Sequence, residues 1–132
     1  MQAWVQEELG SANLGDRRLD ARFRIVMDDL SQKPSVSIPT ACGGWTETCA
    51  AYRFFENERV TASGVLEPHR EGTLKRLAEQ DVVLLVQDAT ELDLTRPVER
   101  MEGAGPLNDE CRWGFYAHPL LALTPERIPL GV

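Results

Sequence analysis

Val82-Val83-Leu84-Leu85-Val86-Gln87-Asp88-Ala89-Thr90 is the stretch whose reading decides the fold. Five apolar residues, mostly β-branched, run without a break and then meet a carboxylate. An unbroken apolar run of this length predicts a strand covered on both faces, hence a central strand. A charge inside such a strand is costly to bury unpaired. Asp88 is therefore expected at the strand's end, where it meets water, a cation or a metal ion. The plainer alternative is an aspartate that caps a turn.

Upstream of this run the apolar residues follow a helical period. Residues 3–9 carry Trp4, Val5 and Leu9 near one face. Asp16 is placed to cap a helix over 17–31, in which Leu19, Phe23, Val26, Met27 and Leu30 form an amphipathic stripe. Arg18 and Arg22, four apart, share a face away from the stripe's centre. They read either as solvated arginines paired with acids such as Asp20 or as a basic ridge for phosphates and bases. Pro34 ends this helix at Lys33. Val36 to Thr40 is expected to be extended or irregular, and Gly43-Gly44 to turn. Trp45 to Glu56 predicts a third helix whose one basic residue, Arg53, sits among aromatics. A fourth helix, capped by Thr61 or Ser63, is expected to reach about Glu79, with Pro68 near its start. His69 on that helix reads as an ordinary surface histidine.

After Gln80-Asp81 the period changes to that of strands, which divides the chain into 1–80 and 81–132. A loop is expected over 96–110, then a strand candidate from Arg112 to Leu123, a turn at Thr124–Arg127, and a third strand within which the chain stops. Strands joined by so tight a turn are antiparallel. Pro119 cannot donate to a ladder, so its strand is expected to be an edge or bulged there. A sheet begun but not completed leaves an open edge and an uncovered apolar face. The region after Asp81 is then expected to be marginal or oligomeric.

With 42% hydrophobic residues the chain can bury a core, and no apolar run is long enough for a membrane helix. The three cysteines form no CxxC pair and have no nearby histidines, which argues against a zinc module or disulfide framework and points to the cytoplasm. Fourteen basic against twenty-one acidic residues give a net charge of −7. A generic nucleic-acid binder is usually basic, so any DNA contact here must be local.

The order of these pieces resembles the N-terminal part of the DDE transposases of the insertion-sequence-four group, which includes the transposase of transposon five. The likeness rests on Leu14-Gly15-Asp16-Arg17-Arg18 with Ala21-Arg22, on Ser37-Ile38-Pro39, and on Ala51-Tyr52-Arg53-Phe54-Phe55-Glu56-Asn57. It continues through Leu85 to Leu92 and through Arg112-Trp113-Gly114-Phe115 with His118 and Leu120–Leu123. The resemblance implies an α+β chain: a helical N-terminal DNA-binding domain, then the first antiparallel strands of an incomplete RNase H-like domain. It implies that Asp88 is the first catalytic carboxylate and a ligand for Mg²⁺ or Mn²⁺. It implies DNA contacts at Arg22 and Arg53, with Lys33 standing beside Gln32, where the family has a lysine. His118, next to Pro119, is a further candidate DNA contact. The implied partners are transposon terminal repeats and, for the full-length protein, a second copy; no membrane is implied. Two metal ions need several hard oxygen ligands, and a lone Asp88 cannot hold them. The chain alone is therefore expected not to cut DNA. A nucleophilic-aspartate phosphatase would carry a second acid at position 90, where Thr90 stands. Two further alternatives are a non-catalytic DNA-binding remnant and a structural α+β domain in which Asp88 only caps a turn.

Overall fold

The computed structural model describes residues 1–95, 101–109 and 111–132. Helices come first and antiparallel strands follow. The chain forms two compact units, Met1–Leu74 and Lys75–Val132. The division falls inside a helix rather than at the change of period near Asp81.

The first unit holds α1 (Ala3–Glu8), α2 (Arg17–Gln32), α3 (Ile38–Cys42), α4 (Trp45–Phe55) and most of α5 (Ala62–Ala78). Two carboxylates set the start of α2. Asp16, in extended backbone, accepts a hydrogen bond from the Arg18 backbone N–H at 2.8 Å, as an N-cap does. Asp20, one turn on, accepts from the Leu14 N–H at 2.7 Å and so folds the preceding loop onto the helix. Leu14 thereby joins Val5, Leu9, Ala12, Phe23 and Phe54 in one buried cluster. Phe23 and Phe54 stack with ring centroids 5.8 Å apart, which clamps α4 to α2. A second cluster of Val26, Cys42 and Ala51 brings α3 into the same core.

Three expectations for this unit change. Val36–Thr40 is not wholly irregular, because α3 begins at Ile38. Pro39 suits its first turn, where no N–H is required, and Gly43 ends it with φ of 72° in the left-handed region. Pro68, expected near the start of α5, lies buried within the helix; Thr61, whose Oγ1 accepts from the Gly64 N–H at 3.1 Å, caps the helix start. His69 is half-buried, and its Nδ1 meets the Glu8 carboxylate, which ties α5 to α1. Asp28 is buried on α2 with the Gln2 N–H at 2.7 Å and the Met1 ammonium at 3.4 Å. The Gln2 hydrogen bond first, and the ammonium after it, hold its carboxyl below the usual range.

The second unit contains β1 (Leu84–Gln87), β2 (Thr90–Asp93), β3 (Gly105–Pro106), β4 (Trp113–Ala117), β5 (Leu120–Leu123) and β6 (Pro129–Gly131). One three-stranded sheet runs β1-β5-β6 and another β2-β4-β3. The pairs Leu84↔Leu123 to Gln87↔Leu120 and Thr90↔Ala117 to Asp93↔Gly114 share one register. The two ladders are thus one antiparallel ribbon, interrupted where Asp88 and Ala89 face Pro119 and His118. The single expected strand Arg112–Leu123 is broken there. Proline lacks the N–H for a ladder bond, yet the pairing with β1 and β2 keeps one register across it; the register shift of β5 falls instead against β6, between Ala122 and Leu123. The last turn of α5 belongs to this unit, and Arg76 Nε donates to the Leu130 carbonyl at 2.5 Å.

The expected central position of β1 is not what forms. It pairs only with β5 among the described strands, and every residue of Leu84–Gln87 is exposed, Leu85 at 62%. An apolar run records that a strand can be covered; covering needs partners from elsewhere in the fold, and none of the described elements supplies them. Gly114 shows the opposite, a close approach. A Cβ there would collide with the Leu92 carbonyl across the ladder and press on Leu107. Of the expected 96–110 loop, 96–100 and 110 lie outside the described residues, and β3 occupies part of the rest. Among the described residues no helix is long and apolar enough to cross a membrane.

Candidate nucleic-acid interface

The predicted cations fall mostly in the helical unit. Arg18 is exposed in the first turn of α2, Arg22 is half-buried one turn on, and Arg53 is exposed in the last turn of α4. None of these three side chains has a hydrogen bond or ion pair with a described residue. Asp20 accepts from the Leu14 N–H and makes no ion pair with Arg18 or Arg22. Lys33 is used differently. It closes α2 as its C-cap, and its ammonium donates to the Thr40 and Ala41 carbonyls at 3.4 and 3.5 Å, across the end of α3.

Cys42 reports the charges around this corner. Burial pushes its thiol up, and the Asp29 and Glu47 carboxylates add to that, while Arg22 and Lys33 oppose it. Arg22, Lys33 and two acids thus all lie within electrostatic reach of Cys42, at the end of α3. Arg53 sits on the flank of α4 away from Ala51, eight residues from Trp45. The segment 1–60 has seven basic and nine acidic residues, whereas 61–132 has seven against twelve, so most of the acidic excess lies outside the helices with these cations.

Residues 1–60 match the transposase DNA-binding family. The matched segment contains α1 to α4 and every candidate cation on α2 and α4. It supports the helical unit as the N-terminal part of a transposase and as a DNA-binding element. No curated protein matches the chain.

Outside the matched segment, Asp88 lies between β1 and β2, exposed, with Oδ1 accepting from the Ala89 N–H at 2.8 Å. His118 is exposed at the facing break, opposite Ala89. The nearest acids along the strand, Glu91 and Asp93, are already engaged. Arg112 bridges them at 2.8 and 2.9 Å, Asn108 donates to Glu91 at 2.7 Å, and Tyr116 donates to Asn108 at 3.0 Å. Among the described residues no three His, Cys, Asp or Glu side chains come together to hold a metal ion. A single aspartate beside acids neutralised by arginine does not fit a two-metal centre.

Sequence reasoning missed the Glu91–Arg112–Asp93 network. The signal was available as two acids two apart on a strand, hence on one face, but naming Arg112 required the register. Thr95, through its hydroxyl and then its backbone N–H, and Arg112 after it, hold the Asp93 carboxyl at about 2. A depressed carboxyl stabilises the fold above its unfolded value of about 3.9 and loses that contribution as pH falls through the folded one. Between pH ~4 and ~2 the β2–β4 ladder is therefore expected to weaken. Circular dichroism of the strand signal checks this, with Asp93→Asn flattening the pH dependence.

Proposed function

We propose that the helical unit binds DNA at transposon ends through Arg22 and Arg53, with Arg18 supporting contact to the backbone. The observation that carries this reading is that the transposase DNA-binding match coincides with helices whose Arg18, Arg22 and Arg53 side chains have no described protein partner. Arginine forms bidentate contacts with guanine edges and phosphates. Lys33 is held by two carbonyls and is a weaker candidate.

Beyond this, we propose that the chain is the front of a DDE transposase of the insertion-sequence-four group. Its strands would begin an RNase H-like domain that acts, in a full-length homodimer, in metal-dependent strand cleavage and transfer. Asp88 would supply one Mg²⁺ or Mn²⁺ ligand, and the remaining carboxylates must come from outside the described residues. No cleavage step is assigned to the residues present. The committed Glu91 and Asp93 favour a second reading, a DNA-binding element without chemistry of its own. A protein that works at transposon ends in a cell without a nucleus is cytoplasmic, associated with the nucleoid when bound to DNA.

The test uses a duplex enriched by the full chain from a random-sequence library. Arg22→Ala and Arg53→Ala are each expected to weaken binding by about tenfold to a hundredfold, while Asp88→Ala leaves it unchanged. Unaltered affinity in both arginine variants would remove the reading.

A further inference from the structure

Beside these cations lies a cleft of about 510 Å³, lined by Pro39, Thr40, Gly43, Trp45, Thr48 and Tyr52 among others. Trp45 is 81% exposed and Tyr52 44% exposed. They stand seven apart on α4, hence on one face, with Thr48 between them. The turn made by α3 and Gly43 forms the opposing wall. So large an exposed indole beside a cleft is a surface awaiting an apolar, planar partner.

We propose that this cleft receives an unpaired nucleobase stacked on Trp45, with Tyr52 bordering it. The proposal rests on the DNA-binding reading of the same unit and names what part of the DNA enters. The surrounding charges choose between base and phosphate. Lys33 reaches the Thr40 carbonyl at the rim, and Arg53 follows Tyr52 on the helix. Arg53 can hold a backbone phosphate outside the cleft, and Lys33 adds positive charge at the rim. Glu47 folds its carboxylate over Gly44, a residue of the cleft wall at the start of α4. A carboxylate there repels a phosphate but accepts a hydrogen bond from the exocyclic amino group of a base. Bases stack on aromatic side chains when unpaired and splayed from the helix. The ligand class is therefore DNA with an unstacked base, such as a frayed or distorted end, rather than continuous duplex.

The test compares two forms of the enriched duplex, one fully paired and one carrying a single unpaired adenine analogue whose fluorescence is quenched by stacking. The full chain is expected to bind the unpaired form roughly five- to a hundredfold more tightly and to quench it. Trp45→Ala should lose both the preference and the quenching, Trp45→Phe should keep much of each, and Arg53→Ala should weaken binding to both duplexes. Trp45 is too exposed for its removal to unfold α4, which circular dichroism verifies. Equal affinity for the two duplexes, or quenching that survives Trp45→Ala, overturns this proposal while leaving the DNA-binding reading intact. Binding to neither duplex overturns both. Capture of an apolar peptide by the cleft in competition with the unpaired duplex, with the preference for that duplex gone, would assign the surface to a protein partner instead.

Discussion

Phe23→Ala is expected to destabilise the helical unit by about 3–5 kcal/mol, the cost of removing a large buried aromatic and leaving a cavity behind. Phe23 is 1% exposed and stacks on Phe54. Its cluster gathers Val5 and Leu9 around α1, Leu14 before α2, and Phe54 of α4. The hole cannot close easily, because α2 is held at its start by Asp16 and Asp20. A domain's stability is commonly about 5–15 kcal/mol, so this one change removes a large share of it. Denaturant unfolding followed by the helical circular dichroism signal measures the loss, and DNA affinity should fall with the folded fraction. A cost under about 1 kcal/mol would mean that the α2–α4 clamp is not what holds the helices.

Gly114→Ala should be comparably severe in the second unit. The added Cβ meets the Leu92 carbonyl, a backbone atom fixed in the β2–β4 ladder, and Leu107 behind it. A flexible side chain could move aside; a paired strand cannot without giving up its register. The expected cost exceeds about 3 kcal/mol, in the range reserved for overpacking and broken networks. The direct readout is the Leu94 N–H, which donates to the Trp113 carbonyl at 2.8 Å and should lose its protection from exchange. Gly105→Ala on neighbouring β3 is the control, since nothing lies within 4 Å of its added Cβ. Equal protection of Leu94 in both variants would show that the ladder is not packed as described.

The parts of this fold that follow local rules could be read from the residues. The stripe Leu19, Phe23, Val26, Met27, Leu30 and the cap Asp16 specify α2 within the helix itself, and its start and end fall close to the expected ones. The five-residue α3 escaped notice because it is too short to display a period, and Pro39 masked it. The burial of β1 was misjudged for a different reason. Val82–Val86 states its preference for an apolar setting, but what covers a strand is decided by distant segments. Pro119 announced a disturbance, though not that the ladder resumes in the same register beyond it. For the candidate site, Arg22 and Arg53 were named beforehand, whereas Trp45 entered only as the start of a helix and Tyr52 was not singled out. Their exposure depends on how α3 turns into α4 at Gly43, which no helical pattern encodes. Lys33 was named as a cation, but its attachment to Thr40 and Ala41 follows from the same turn.

The central claim is that DNA recognition resides in the helices of the matched segment. Hydrogen exchange of the full chain, with and without the enriched duplex, tests it most directly. Binding should slow exchange within residues 17–55, most of all around Arg22 on α2 and Arg53 on α4, and leave β1 to β6 unchanged. Slowing confined to the strands, with residues 17–55 unaffected by a duplex that demonstrably binds, would contradict it.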